Sequence, residues 1–311
     1  MKRECICAVG LGGQSVFLNV DHFHATGETI HATSIYSEPG GKAYNQIVAA
    51  ARLGAQTVFI GAMGNDKNAQ ICEDNLIQEG VLPQIMKVDD ADTAYACILT
   101  DAVGENRVTV YRGAADHLSA EYIYSCKDII SECSVMLLGL ECPVSATYAA
   151  LELAEKFNIL TIFNPAPAKK LDMSLLRRFD IITPNRQEAS ILFTLADDSI
   201  KNICDALREN GIQKAVITLG ADGALVFSGG MGRVFNAVKC TAVDTTGAGD
   251  CFSGALATEL LRSDNFDKAV LFAINAAALS VTRHHVLNAL PYLEAVQAAV
   301  LSHENEPFPV L

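Results

Sequence analysis

The chain has 311 residues, half of them hydrophobic and 19% charged, with a formal net charge of −13. That is enough apolar material for one large α/β domain or two ordinary ones. Acidity without a Lys/Arg cluster argues against a surface that tracks nucleic acid or binds an anionic membrane, while leaving room for a local site for a phosphorylated ligand.

Every apolar run is cut by charge or glycine before the ~18 residues of a membrane span. Met1-Lys2-Arg3-Glu4-Cys5-Ile6-Cys7 passes quickly into a strand-like run rather than a long apolar leader core. Cytoplasm is the expected compartment. Ten scattered cysteines with no Cys-x-x-Cys pair predict reduced core thiols, not disulfides or a zinc site. His22, His24, His284 and His285 lack a matching ligand set for a metal.

In chain order, short apolar runs predict strands at Cys5–Leu11, Thr57–Ala62, Val135–Leu140, Leu160–Phe163, Ile181–Thr183, Ala215–Leu219 and Ala224–Phe227. Helical periodicity falls between them, at Ala43–Leu53, Asn68–Gln78, Ser145–Phe157, Gln187–Leu195, Asn202–Arg208, Ala248–Leu261, Asp267–Thr282 and Tyr292–Leu301. Strands apolar on both faces and alternating with helices imply a doubly wound, mainly parallel sheet, with ligands beyond the carboxyl ends of its strands. Two segments break the rhythm, about 14–38 and 92–113, where β-type alternation replaces helix. Asp101–Asn106 reads as a hairpin loop within the second. They predict a small antiparallel sheet lying as a lid over a single domain, 1–311. Its uncovered edge and apolar face predict a homodimer clasped through the lid.

Several motifs carry chemistry. Gly10-Leu11-Gly12-Gly13 lacks the third glycine and the helix of a dinucleotide fingerprint. Gly40-Gly41-Lys42-Ala43-Tyr44-Asn45-Gln46 opens a helix, with glycines for close approach, a positive charge at Lys42 and an amide at Asn45; a plain turn-to-helix junction also explains it. Thr183-Pro184-Asn185-Arg186-Gln187-Glu188 is nearly a capping box, and Glu188 can also face water around a metal ion. Thr218-Leu219-Gly220-Ala221-Asp222-Gly223 suits either a nucleotide lying across it or a tight turn.

The central stretch is Asp244-Thr245-Thr246-Gly247-Ala248-Gly249-Asp250, entered from Ala237–Val243, expected as a strand end, and leading into an apolar helix. Two glycines around an alanine let backbone amides converge, and the helix N-terminus adds its own donors and partial positive charge. Asp250 at the edge of such an anion cradle suits a base that accepts the proton of an attacking hydroxyl. A helix entry with a first-turn charge is the plainer reading of the motif alone.

Taken in this order, the segments resemble the ribokinase-like (PfkB) family of carbohydrate and nucleoside kinases, from about Cys5 to Pro291. Asp244–Gly254 is similar to the family's C-terminal signature and Gly40–Gln46 to the N-terminal one. Leu140-Glu141-Cys142-Pro143 and Asn164-Pro165-Ala166-Pro167 are similar to further family segments. The resemblance implies a three-layer sandwich and an ATP-dependent transfer of the γ-phosphoryl group to a sugar hydroxymethyl. It implies Asp250 as base, the Gly247, Ala248 and Gly249 amides as anion hole, and Gly41, Lys42, Asn45 and Glu141 around the sugar. It places Asn185 and Glu188 at the phosphates and water-bound Mg²⁺. Thr218, Gly220 and Gly223, with Gly249, fall on ATP, and Asp244 and Thr246 at a K⁺-type ion.

This sequence also departs from the family. Where ribokinases carry an Asn-x-Asp pair after the first strand, Gly13 and Ser15 stand, and a serine does not chelate two hydroxyls as a carboxylate does. An alignment through Asn19 and Asp21 needs an insertion. His285-Val286 replaces Gly-Ala, and Ala115 stands where the family commonly has Asn. The alternatives are a nucleoside kinase of the same family and, in another class, a non-catalytic sugar or nucleotide sensor.

Overall fold

The computed structural model describes residues 5–303; Met1–Glu4, where the leader question arose, lie outside them. In chain order the strands are β1 (Cys5–Val9), β2 (Gly13–Val20), β3 (Ala32–Gly40), β4 (Gln56–Gly64), β5 (Val81–Val88), β6 (Ala94–Thr100) and β7 (Asn106–Tyr111). β8 (Val135–Leu138), β9 (Leu160–Phe163), β10 (Ile181–Ile182), β11 (Lys214–Thr218), β12 (Ala224–Ser228) and β13 (Met231–Phe235) follow. Among the described residues they form a nine-stranded sheet, ordered β13-β12-β11-β10-β9-β8-β1-β4-β5, and a four-stranded sheet, ordered β3-β2-β6-β7. The large sheet is parallel from β11 to β5, with β12 and β13 antiparallel at one edge.

Alternate strand residues feed two cores, which is why these strands read as continuous apolar runs rather than as alternation. Ile6, Ala8, Phe59, Leu137, Ile162 and Val216 pack on one face with the helices Lys42–Arg52, Ala248–Arg262 and Phe266–Ser280. Cys7, Val9, Ile60, Leu138, Phe163 and Ile217 pack on the other with Val144–Phe157 and Ile200–Glu209. The result is a three-layer α/β/α sandwich. No helix among the described residues is long and apolar enough to cross a membrane.

The first strand lies inside the large sheet, with β4 on one side and β8 on the other. The chain therefore winds outward twice from β1, and a crevice opens beside its carboxyl end. Two helix N-termini meet there because of two close approaches. A Cβ on Gly254 would come within 2.4 Å of the Gln46 carbonyl oxygen, and one on Gly10 within 2.5 Å of Ala43 Cβ. Bare backbone at both places lets Ala248–Arg262 lie against Lys42–Arg52 and lets the latter lie against the end of β1.

Two expectations fail: β2 and β6 pair in parallel, so the small sheet is mixed rather than antiparallel, and the strand end expected at 237–243 is absent. That segment is irregular, tied by the amides of Val243 and Asp244 to the Val281 carbonyl (2.7 and 3.2 Å). An apolar, β-branched run supplies strand propensity but not a neighbouring strand to pair with.

Candidate active site

Asp250 lies in the first turn of Ala248–Arg262 and is buried, 6% exposed. Its carboxylate accepts from Asn45 Nδ2 (2.9 Å) and Gln46 Nε2 (3.2 Å), both from the facing helix. Asn45 thereby spends its amide nitrogen on Asp250, while its Oδ1 is buried without a partner. Burial pushes the Asp250 carboxyl above the usual range, against the pull of Lys42 and the two amides. A raised carboxylate held by neutral donors is a better proton acceptor than a solvated one.

Lys42 draws the acidic groups together. Its ammonium is held above its ordinary pKa chiefly by Asp250, then by Glu141 and Glu188, against desolvation. Glu141 follows β8 and caps the neighbouring helix, accepting from the amides of Lys42 (2.7 Å) and Ala43 (3.4 Å). Loss of water, with repulsion from Asp250, pushes its pKa up to about 7 even though Lys42 and those amides pull it down. Gly41 forms the N-cap at φ 123°, and a Cβ there would strike the Leu11 carbonyl at 2.3 Å, so only glycine fits.

The helix start expected to cradle an anion differs in one donor from that expectation. Gly247 is the N-cap of Ala248–Arg262 in the left-handed region, φ 77°. The Ala248 amide, expected in the anion hole, donates to the Thr245 carbonyl at 3.3 Å. The Gly249 and Asp250 amides have no acceptor among the described residues, and a Cβ on Gly249 would meet nothing within 4 Å. Free donors at a helix start with open space beside them suit an anion. Asp244 spends one carboxylate oxygen on the Thr246 amide (2.9 Å) and the other on that of His285 (3.0 Å).

On the other side, Asn185 and Glu188 complete a reciprocal capping box at the start of Arg186–Phe193. Glu188 Oε2 takes the Asn185 amide (2.8 Å), and its pKa is raised by burial. Asn185 bridges to Thr218 in the parallel sense, so the loops after β10 and β11 run side by side. Gly220 and Gly223 turn that second loop with φ 62° and 98° into β12. Among the described residues no hydrogen bond joins the Thr218–Gly223 loop to Asp250. It lies two strands from β9 in the same row of strand ends.

Ser15 sits on the small sheet opposite Glu38 and Ala96. A Cβ placed on Gly40 would lie 2.7 Å from its hydroxyl and 3.7 Å from Asn45 Oδ1, so both oxygens face one spot. Gly13 has no room for a side chain, since a Cβ would meet the Ala94 carbonyl oxygen at 2.2 Å. Asn19 bonds Ser34 (2.8 Å) at the exposed far end of β2, away from this spot. Ala115 is buried against Leu11 and Ala94.

Sequence reasoning missed four participants. Gln46 is the second donor to Asp250. Thr183 and Ser253 exchange a bond (3.3 Å) that ties the end of β10 to the Asp250 helix. Glu38, on β3 of the small sheet, accepts from the amides of Val286 and Leu287. The helical spacing of Asn45 and Gln46 beside Lys42 was a usable signal for the first, but the others depend on contacts between distant segments.

A doubly wound sheet with a glycine-bounded helix start, a buried carboxylate and a neighbouring lysine at its switch point defines a small-molecule phosphotransferase class. The comparisons name the family: residues 5–292 match the model of the pfkB family carbohydrate kinases, and the chain belongs to that family. It is 35% identical to a ribokinase of Haemophilus influenzae over 293 residues, covering 93% of this chain and 96% of that one. A crystal structure of a ribokinase from Thermotoga maritima superposes with a TM-score of 0.86 at 33% identity, covering 95% and 99% of the two chains. A ribokinase from Cryptococcus neoformans in complex with ADP superposes at 0.78 with 26% identity, covering 94% and 99%. The chain is thus an ATP-dependent carbohydrate kinase acting on a sugar hydroxyl.

Proposed function

We propose that this kinase phosphorylates a primary hydroxymethyl of a small sugar, with Asp250 as base. The observation that carries the assignment is the Asp250 carboxylate, buried between two amide donors at a helix start whose Gly249 amide is free. Asp250 accepts the proton of the attacking hydroxyl, while the Gly249 and Asp250 amides and the Lys42 ammonium offset charge on the transferring group. Gly41, Lys42, Asn45 and Glu141 hold the sugar, and the unpaired Asn45 Oδ1 accepts from one of its hydroxyls. Asn185, Thr218, Gly220 and Gly223 line the nucleotide, in keeping with the ADP carried by the Cryptococcus relative.

Mg²⁺ fits the donor set. Lys42 is outnumbered by Asp250, Glu141 and Glu188, and Glu188 keeps Oε1 free of its capping bond. Among the described residues no three or more ligating side chains are grouped, so Glu188 would hold the ion through a water rather than as part of a protein cage. Bound there, Mg²⁺ neutralises phosphate charge. A K⁺-type ion at the Asp244–Thr246 loop would complete rather than build it, because Asp244 already pins two amides; potassium at constant ionic strength is expected to raise kcat only modestly.

The small sheet serves as a lid on one domain, and two copies clasp through it as a homodimer in the cytoplasm. β7 is exposed along its whole length, with Val108, Val110 and Tyr111 among its side chains. A nucleoside reading gains support from Val108 and Val110, exposed apolar side chains on the face of the small sheet that Ser15 and Phe17 share. An ADP-release assay over pentoses, hexoses and nucleosides separates the readings. Turnover with a free sugar, and ³¹P NMR placing phosphate on its hydroxymethyl, supports the first. Turnover with nucleosides alone supports the second. Tight ligand binding without ADP release from any acceptor would leave only the sensor reading.

A further inference from the structure

Glu38 is the acidic residue that the phosphoryl-transfer scheme leaves unexplained. It stands near the end of β3 and is only 5% exposed. Its two oxygens accept from successive amides 248 and 249 residues away: Oε1 from Val286 (2.8 Å) and Oε2 from Leu287 (3.2 Å). The preceding amide, that of His285, goes to Asp244. Three consecutive amides of one loop are therefore pinned by two carboxylates, one from the small sheet and one from the phosphoryl-binding stretch. Such bonds are charge-assisted and stronger than neutral ones.

Tyr36 reinforces the clamp from the same face of β3. Its ring stacks on His285 with centroids 3.8 Å apart and planes at 16°, and its hydroxyl accepts from Asn288 Nδ2 (2.7 Å). His285 holds φ 69°, a left-handed conformation that costs a non-glycine residue energy and persists only where its surroundings enforce it. Val286, between the two carboxylates, faces both ways. It packs with Phe17 and Ile98 of the small sheet, and a Cβ on Gly247 would fall 2.4 Å from its Cγ1. Its methyls therefore rest on the bare backbone of the helix start.

We infer that Glu38 is a positioning residue for phosphoryl transfer: it holds the His285–Leu287 loop so that Val286 fixes Gly247 and the free amides after it. The small sheet and the anion cradle then move as one body. Substrate binding under the sheet is transmitted to the amides through a carboxylate rather than through either ligand. This rests on the reading of those amides as the site of the transferring group.

Glu38→Gln is the informative change, because glutamine offers one acceptor oxygen and turns an NH₂ toward the second amide. The affinity for Mg²⁺·ADP is measured by calorimetry with and without aluminium fluoride, a planar mimic of the transferring group, alongside the acceptor that the panel selects. In the parent, fluoride tightens ADP binding at least about a hundredfold, as transition-state mimics do. The variant is expected to lose at least about tenfold of that tightening, with ADP affinity alone changed by no more than about threefold. Full tightening in the variant, or an equal loss for ADP alone, overturns the inference. A parent that shows no tightening overturns the cradle reading, and the inference falls with it. Should the variant fail to fold, Val286→Ala, which removes the methyls on Gly247 without touching a hydrogen bond, is read by the same two outcomes.

Discussion

At the residue scale the site is dominated by carboxylates kept from ionising freely. Glu141 shows it best: its pKa of about 7 stands above the ordinary 4.5, with desolvation as the main cause. A carboxyl raised in the fold binds a proton that the unfolded chain has already released. Its stabilising contribution is complete below about pH 4.5 and is lost as pH rises to about 7. Glu141→Gln removes that titration. Calorimetric melting without ligands should show the variant gaining on the parent as pH rises through this window, by at most about 1.4 kcal/mol per pH unit. Glu38 titrates in both proteins and cancels in the difference, whereas Asp250, which repels Glu141, loses that repulsion in the variant and its own pKa falls with it. A gap independent of pH would show that Glu141 is not raised.

Ser15 belongs to the same scale. Ser15→Asp restores the carboxylate that ribokinases carry. Because the Ser15 hydroxyl shares a spot with Asn45 Oδ1, the variant should lower KM for D-ribose by about tenfold, the value of one charge-assisted pair of about 1.5 kcal/mol. Steady-state kinetics on the two proteins checks it, and an unchanged or higher KM counts against a sugar subsite at Ser15.

At the element scale, two helices aim their first turns at one crevice, and Gly254 permits it. A Cβ there meets the Gln46 carbonyl oxygen at 2.4 Å and the Ala49 Cβ at 2.8 Å. Backbone does not yield as a side chain does, so Gly254→Ala must push Ala248–Arg262 away from Lys42–Arg52. We expect a loss of about 1–3 kcal/mol in denaturant unfolding and a fall in kcat as Asp250 leaves Asn45 and Gln46. Unchanged stability and turnover would mean that the helix contact is looser than described.

The elements were also the most legible part of the sequence. Periodicity located the helices Val144–Phe157 and Ala248–Arg262 to within a residue or so, and strands buried on both faces announced themselves as apolar runs. β5 escaped notice because it is an edge strand, half-exposed along most of its length and interrupted by Pro83. The capping box at Asn185 was readable because its partners are three residues apart. Glu38, Thr183 and Ser253 were not, because their partners lie 70 or more residues away and only the fold brings them together.

At the scale of the whole molecule, the small sheet carries its exposed apolar side chains at the edge strand β7 and at Ile35, which is 72% exposed. The proposed clasp between two such sheets would cover those on β7. Sedimentation velocity should give a dimer for the parent, and Val110→Lys, which places a charge on the β7 edge, should shift it toward monomer. A monomeric parent would remove the clasp while leaving the site intact.

The account depends most on Asp250 as the group that takes the acceptor's proton beside the free amides. The direct measurement is turnover of Asp250→Asn with its Mg²⁺·ATP affinity determined by calorimetry on the same preparation. We predict a fall in kcat of about 10²–10⁴, the usual value of a general base, with ATP affinity near that of the parent. Turnover close to the parent's would contradict the assignment.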